Sequence, residues 1–169
     1  MTMEIWDGYR SDGTPAHVEL IRGEPVPEGL YHLVCEIIVE HQDGSILAMR
    51  RDPCKPNHPD AWETTAGGSA LKGEDALHCA IRELYEETGI LAETLELLGQ
   101  EVSDPAHSIF YMYRAEIAGE KPAVILQPGE TVDYRWIPPE EFPAFVQRDM
   151  IPSQRRRYGM FLKRRGYIK

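Results

Sequence analysis

The hydrophobic pattern changes period along the chain, and each change predicts an element. Residues 4–20, EIWDGYRSDGTPAHVEL, place a strand on each side of Ser11, Asp12 and Gly13, which predicts an N-terminal hairpin. A second hairpin is predicted where YHLVCEIIVE passes through HQDG into SILAMRR, and its apolar run is long enough for a buried strand. Between residues 68 and 90 the pattern becomes helical, with Leu77, Ile81 and Leu84 forming the expected apolar face. Strand-like runs return in ETLELLGQEVS, HSIFYMYRAEIAG and TVDYRWIPP. A short helix is then predicted from about Pro139 to Phe145, opened by the Pro-Pro pair. Another is expected from a Ser153 cap, burying Tyr158, Phe161 and Leu162 at i, i+3 and i+4. The order fits an α/β chain with a mixed sheet flanked by helices.

Length and composition narrow this picture. A chain of 169 residues without an internal repeat or low-complexity linker predicts one domain over 1–169, with a hairpin extension at 1–30 and a basic C-terminal helix at 150–169. No apolar run approaches a membrane span and no secretory leader is visible, so a cytoplasmic protein with no membrane partner is expected. Cys35, Cys54 and Cys79 are odd in number, widely spaced and without a CxxC pair, so they read as free thiols rather than a disulfide or zinc framework. A formal net charge of -10 argues against a nucleic acid polymer as partner. Seven of the 18 basic residues lie between Arg155 and Lys169, yet the apolar spacing within them favours a packed helix over a nucleic-acid footprint.

The chemistry concentrates in residues 68–90, GSALKGEDALHCAIRELYEETGI. On a helix Glu86 and Glu87 follow Glu83 by three and four positions, so three carboxylates share an arc of roughly 100°. Such crowding calls for a cation, and hard carboxylate oxygens suit Mg2+, with Mn2+ as a substitute.

This stretch resembles the box of the Nudix hydrolase superfamily, G-x5-E-x7-R-E-U-x-E-E-x-G-U, at Gly68, Glu74, Arg82, Glu83, Leu84, Glu86, Glu87, Gly89 and Ile90. Chance agreement at all of these positions has a probability of roughly 10^-8 to 10^-7, which outweighs the reading of the run as a merely wet helix face. The resemblance implies a Nudix fold, a mixed sheet in an α/β/α sandwich. It also implies a hydrolase in which water attacks phosphorus to split a diphosphate. Glu83, Glu86, Glu87 and the Gly67 carbonyl are the implied metal ligands. Arg82 would orient the glutamates and Glu74 would favour the helix N-terminus. Glu130, before the last strand-like run, is the implied alternative to a box glutamate as general base, with Asp133 a lesser candidate.

A second resemblance, to isopentenyl-diphosphate isomerase, lies in MRRDPCKPNHPDAW, where Arg51 and Lys55 match phosphate ligands. His32 matches a metal-binding histidine there but reads better as a core histidine. The isomerase cysteine is replaced by Gly67, its following histidine by Ser69 and its first metal histidine by Pro25. Hydrolysis of a nucleoside diphosphate derivative or other small organic diphosphate is therefore expected. Isomerase-like activity and a non-catalytic nucleotide sensor stand as alternatives. Pro105, 15 residues past Ile90, hints at ADP-ribose chemistry, and Tyr111, Tyr113 and Trp136 are candidate base-stacking residues. A homodimer is compatible with the sequence but not specified by it.

Overall fold

The computed structural model describes residues 3–169, so Met1 and Thr2 of the expected extension lie outside the described residues. The N-terminal hairpin pairs β1 (Ile5–Tyr9) with β2 (Pro15–Ile21) antiparallel. Its turn closes because Asp12 Oδ1 accepts from Thr14 N at 2.9 Å and Gly13 takes a positive φ of 82°, the conformation a Cβ disfavours.

Seven further strands form one mixed sheet: β3 (His32–His41), β4 (Ile46–Arg51), β5 (Trp62–Glu63), β6 (Thr65–Ser69), β7 (Glu96–Ser103), β8 (Ser108–Ile117) and β9 (Thr131–Ile137). The central β3 and β8 run parallel from His32↔Ser108 to His41↔Ile117, and the other pairings are antiparallel. The predicted second hairpin forms, but β3 and β4 pair only at Glu40↔Ile46. Beyond that point they part: β6 takes the edge of β3 through Val34↔Ser69 to Ile38↔Thr65, while β9 and β5 take those of β4. The short, glycine-containing β6 and the two-residue β5 were not predicted, because neither is long enough to show an alternating pattern.

Alternation along β3 sorts the core into two layers. Leu33, Cys35, Ile37 and Val39 face α1 (Ala76–Thr88), while Ile38, with Ile46 and Ala48, faces α2 (Phe142–Arg148), α3 (Pro152–Arg157) and α4 (Gly159–Arg164). Helices thus cover both faces, as in an α/β/α sandwich. Each fully buried Leu or Ile contributes about 1.5–3 kcal/mol, so both layers help fix the sheet between them.

Three expectations are corrected. The buried arc of α1 is Ala76, Cys79, Ala80, Leu84, Glu87 and Thr88, whereas Leu77 is 38% exposed, because the helix lies against β6 and β3 where small side chains fit. The helix predicted over Pro139–Phe145 starts at Phe142, since Pro138 O first accepts from the N–H groups of Glu141 and Phe142 in a turn. The expected C-terminal helix is two short helices, with Pro152 rather than Ser153 at its start and a break at Tyr158. Tyr158 departs from helical geometry at φ -86° and ψ 7°, its buried hydroxyl donates to Glu36 O at 2.8 Å, and Phe161 and Leu162 are buried as expected. No described helix is long and apolar enough to cross a membrane.

Candidate active site

The parting of β3 from β4 leaves a cleft of about 770 Å³ whose lining includes residues of β3, β6, the end of β4 and α1. The acidic helix is held at both ends. Asp75 caps it by accepting from His78 N at 2.8 Å, and Gly89 ends it at φ 72° with its N–H on Tyr85 O.

Along this helix Glu83, Glu86 and Glu87 all reach the cleft, but not equally. Glu86 has a 44% exposed side chain, whereas Glu87 is buried and its Oε2 accepts from Gly67 N at 3.2 Å. The glycine pair makes this approach possible. A Cβ on Gly68 would sit 2.5 Å from Glu83 Oε1, and one on Gly67 would sit 2.0 Å from Cys35 O. Burial pushes the Glu83 carboxyl above the ordinary carboxylate range, against the pull of Arg82. It pushes that of Glu87 well above, with Glu63 and Glu83 adding like-charge repulsion.

Arg82 gathers the carboxylates. Its Nε and Nη2 donate to the two oxygens of Glu74, each at 2.9 Å, and its Nη1 donates to Glu83 at 2.6 Å and Glu86 at 3.2 Å. Nη2 also reaches Ser69 O at 3.1 Å, tying the helix to β6. Glu74 therefore anchors Arg82 and accepts from Leu71 N at 3.0 Å, while Asp75 caps the helix. Although burial opposes it, the bond from Arg82 holds the Glu74 carboxyl below its usual range.

Among the described residues no group of three His, Cys, Asp or Glu side chains converges closely enough to hold a metal ion, since Arg82 engages Glu83 and Glu86. The donor set nonetheless fits a divalent cation. Glu87 is a buried carboxylate repelled by three others, and the backbone beside it is kept open by glycine.

Arg51 and Lys55 line the same cleft, but each is already paired. Arg51 donates through Nη1 to Glu63 Oε1 at 2.9 Å and through Nε to Asn57 O at 3.0 Å. Lys55 forms an ion pair with Glu130, and both stand at the cleft wall. Asp133 is exposed on β9, opposite Arg50 in register, and does not line the cleft. Tyr111, Tyr113 and Trp136 pack against the core on α1's side of the sheet; the aromatic side chain in the cleft is Phe110. Pro105 sits in the β7–β8 turn beside Asp104, which accepts from Tyr31 at 2.7 Å. His32 is buried, stacked on Trp6 at 4.0 Å, and burial lowers its pKa to about 4. Cys79 is buried against α1's neighbours, and its contact with Cys35 and its burial push the thiol up, away from reactivity.

Several cleft residues escaped the sequence reading. Glu63 on β5, Glu36 on β3, and Gln154 and Arg157 on α3 all line it. Arg157 forms a bidentate pair with Glu36, with Nε at 2.9 Å, and lies 4.0 Å over the Phe110 ring. Gln154 donates to Glu63 and Thr65, while its own Oε1 is buried without a partner, at a cost of about 1–3 kcal/mol. From the other end of the chain, the pair Glu4–Arg22 also reaches the lining. The only hint in the sequence was the mixture of basic and apolar residues near the C-terminus.

Residues 30–158 match the model of the NUDIX domain. An uncharacterised Nudix hydrolase of Listeria monocytogenes is 30% identical over 147 residues, covering 84% of each chain. The NAD-capped RNA hydrolase NudC of Pseudomonas putida is 31% identical over 107 residues, covering 63% of this chain but 36% of its own. Among solved structures, DR0079 of Deinococcus radiodurans superposes with a TM-score of 0.68 at 20% identity, covering 85% of this chain and 89% of its own. The chain belongs to the Nudix family and has its fold. It is accordingly a Nudix pyrophosphohydrolase, of a family that works with divalent metals.

Proposed function

We propose that this protein is a Mg2+-dependent hydrolase, able to use Mn2+, that cleaves the diphosphate linkage of a nucleoside diphosphate derivative or another small organic diphosphate. The observation that carries this reading is the approach of the buried Glu87 carboxylate to the Gly67 N–H, beside a Gly68 position where a Cβ would displace the Glu83 carboxylate. Glu83, Glu86, Glu87 and the Gly67 carbonyl would hold the metal. Once bound, a divalent cation would lower the pKa of an attacking water and neutralise charge on the leaving phosphate.

The protein's own groups divide the remaining work. Arg82 orients Glu83 and Glu86 through charge-assisted hydrogen bonds and is itself anchored by Glu74. Arg51 and Lys55 bind phosphate, the first as a bidentate fork and the second as a mobile point charge. Binding phosphate through Lys55 frees Glu130 from its ion pair, and Glu130 then accepts the proton of water at a carboxylate oxygen. We propose that the chain acts as one domain in the cytoplasm.

Isomerase chemistry is disfavoured by geometry as well as by composition. A cysteine at position 67 would bring its Cβ within 2.0 Å of Cys35 O, a backbone atom that cannot turn aside. The test is a Mg2+ and Mn2+ screen against nucleoside di- and triphosphates, nucleotide sugars, dinucleotides, NAD-capped RNA and isoprenoid diphosphates, with products identified. Phosphate or nucleoside monophosphate release is expected. Allylic rearrangement, or tight binding without turnover under either metal, would refute the proposal.

A further inference from the structure

Glu63 stands at the centre of a polar chain that the family motif does not contain. Its Oε1 accepts from Arg51 Nη1 at 2.9 Å and its Oε2 from Gln154 Nε2 at 3.2 Å. Gln154 lies 91 residues further along, on α3, and its Nε2 also donates to Thr65 Oγ1 at 2.8 Å. Two acceptors thus fix the orientation of the amide. Turned over, it would aim an oxygen at the Glu63 carboxylate, so it stays as it is although Oε1 is left unpaired. Gln154 is 6% exposed and Glu63 is 8% exposed, which makes the arrangement rigid rather than a solvated surface contact.

The far end of this chain opens into the cleft. Arg51 is held on two sides, by Glu63 and by Asn57 O, and among the described residues its Nη2 has no hydrogen-bond partner. A guanidinium pinned at Nε and Nη1 keeps its remaining donors in one direction, which is what phosphate recognition requires. Lys55 lacks a comparable support, since its partner Glu130 is on a turn with a 37% exposed side chain.

We propose that Glu63 is a positioning residue for substrate binding, which aims Arg51 at the phosphate. Gln154 locks Glu63 in place, so the C-terminal segment completes the active site. This rests on the reading of Arg51 as a phosphate ligand. Glu63 and Gln154 touch no reacting atom; they act through Arg51.

The experiment measures inorganic pyrophosphate binding by calorimetry to the full chain in Mg2+, with a separate Mg2+ titration and a melting curve for each variant. Glu63→Gln and Gln154→Leu are each expected to weaken pyrophosphate by about tenfold, and neither should weaken it further in an Arg51→Ala background. Gln154→Lys keeps a donor toward Glu63 and should return affinity to within about threefold of the wild type. Mg2+ affinity should be unchanged in Gln154→Leu. Additivity with Arg51→Ala, or a lowered melting temperature with unchanged pyrophosphate affinity, would overturn the positioning role. Wild-type affinity in Arg51→Ala alone would instead overturn the assignment of Arg51 on which it rests.

Discussion

The two walls of the cleft are built in opposite ways. One is nearly contiguous: Gly67, Gly68, Arg82, Glu83, Glu86 and Glu87 come from a single strand–loop–helix unit. The other is assembled from Glu36, Arg51, Glu63, Gln154 and Arg157, which reach one place only because β3 and β4 part and α3 packs into the opening. In the first wall local spacing does the positioning, and a helix cap and a glycine pair suffice to aim three carboxylates. In the second the charged groups are matched by partners on other elements, Arg157 by Glu36 on β3, far away in the chain, and Arg51 by Glu63 on β5. The contiguous wall concentrates negative charge and so calls for a cation. The assembled wall pairs its charges and presents fixed donors.

Substitutions can break this contrast. The largest effect is expected in the contiguous wall: Glu87→Gln should lower turnover on the order of 10³-fold, read as kcat on a substrate from the diphosphate screen, with folding intact. In the assembled wall, Arg157→Met should leave Glu36 as an uncompensated buried charge and cost about 3–5 kcal/mol in urea unfolding. A Glu36→Leu, Arg157→Met double variant should recover most of that loss; no recovery would mean that the pair does not act as a unit.

His32, beneath the N-terminal hairpin, adds a pH dependence. Its folded pKa of about 4 lies below the ordinary value of 6.5, so the unfolded chain binds the proton more readily. Stability should fall as pH drops from about 6.5 toward 4, by about 2 kcal/mol after allowance for partial solvent access, and His32→Phe should flatten that slope in pH-dependent melts.

Gly68→Ala crowds the Glu83 carboxylate, a movable side-chain end, and should reduce turnover about tenfold with a smaller effect on melting temperature. Arg156→Ala removes only an exposed pair with Glu101 and should change stability by less than about 0.5 kcal/mol. A larger loss there would show that the basic segment is held by more than its buried members.

Periodicity and turn chemistry announced the N-terminal hairpin, β3, β7, β8, β9 and the acidic helix, because long strands and capped helices write their pattern locally. The same logic failed at β5 and β6, which are short, and at the C-terminal helix, where the backbone departs from helical geometry at Tyr158 although the apolar spacing continues. Arg51, Lys55 and Glu130 were found as cleft residues, but their pairing with Glu63 and with each other could not be read from a line of residues. Glu63 and Gln154 carry no distinctive spacing at all.

By itself, the sequence determined the family, the acidic helix and the carboxylates placed along it, since a helix converts fixed spacing into fixed direction. Tertiary structure alone decided which helix face was buried, that Glu74 anchors Arg82, and that a C-terminal glutamine supports an arginine 103 residues earlier. Those outcomes depend on desolvation and on partners brought together by packing. Neither is a property of residues that are neighbours in the chain.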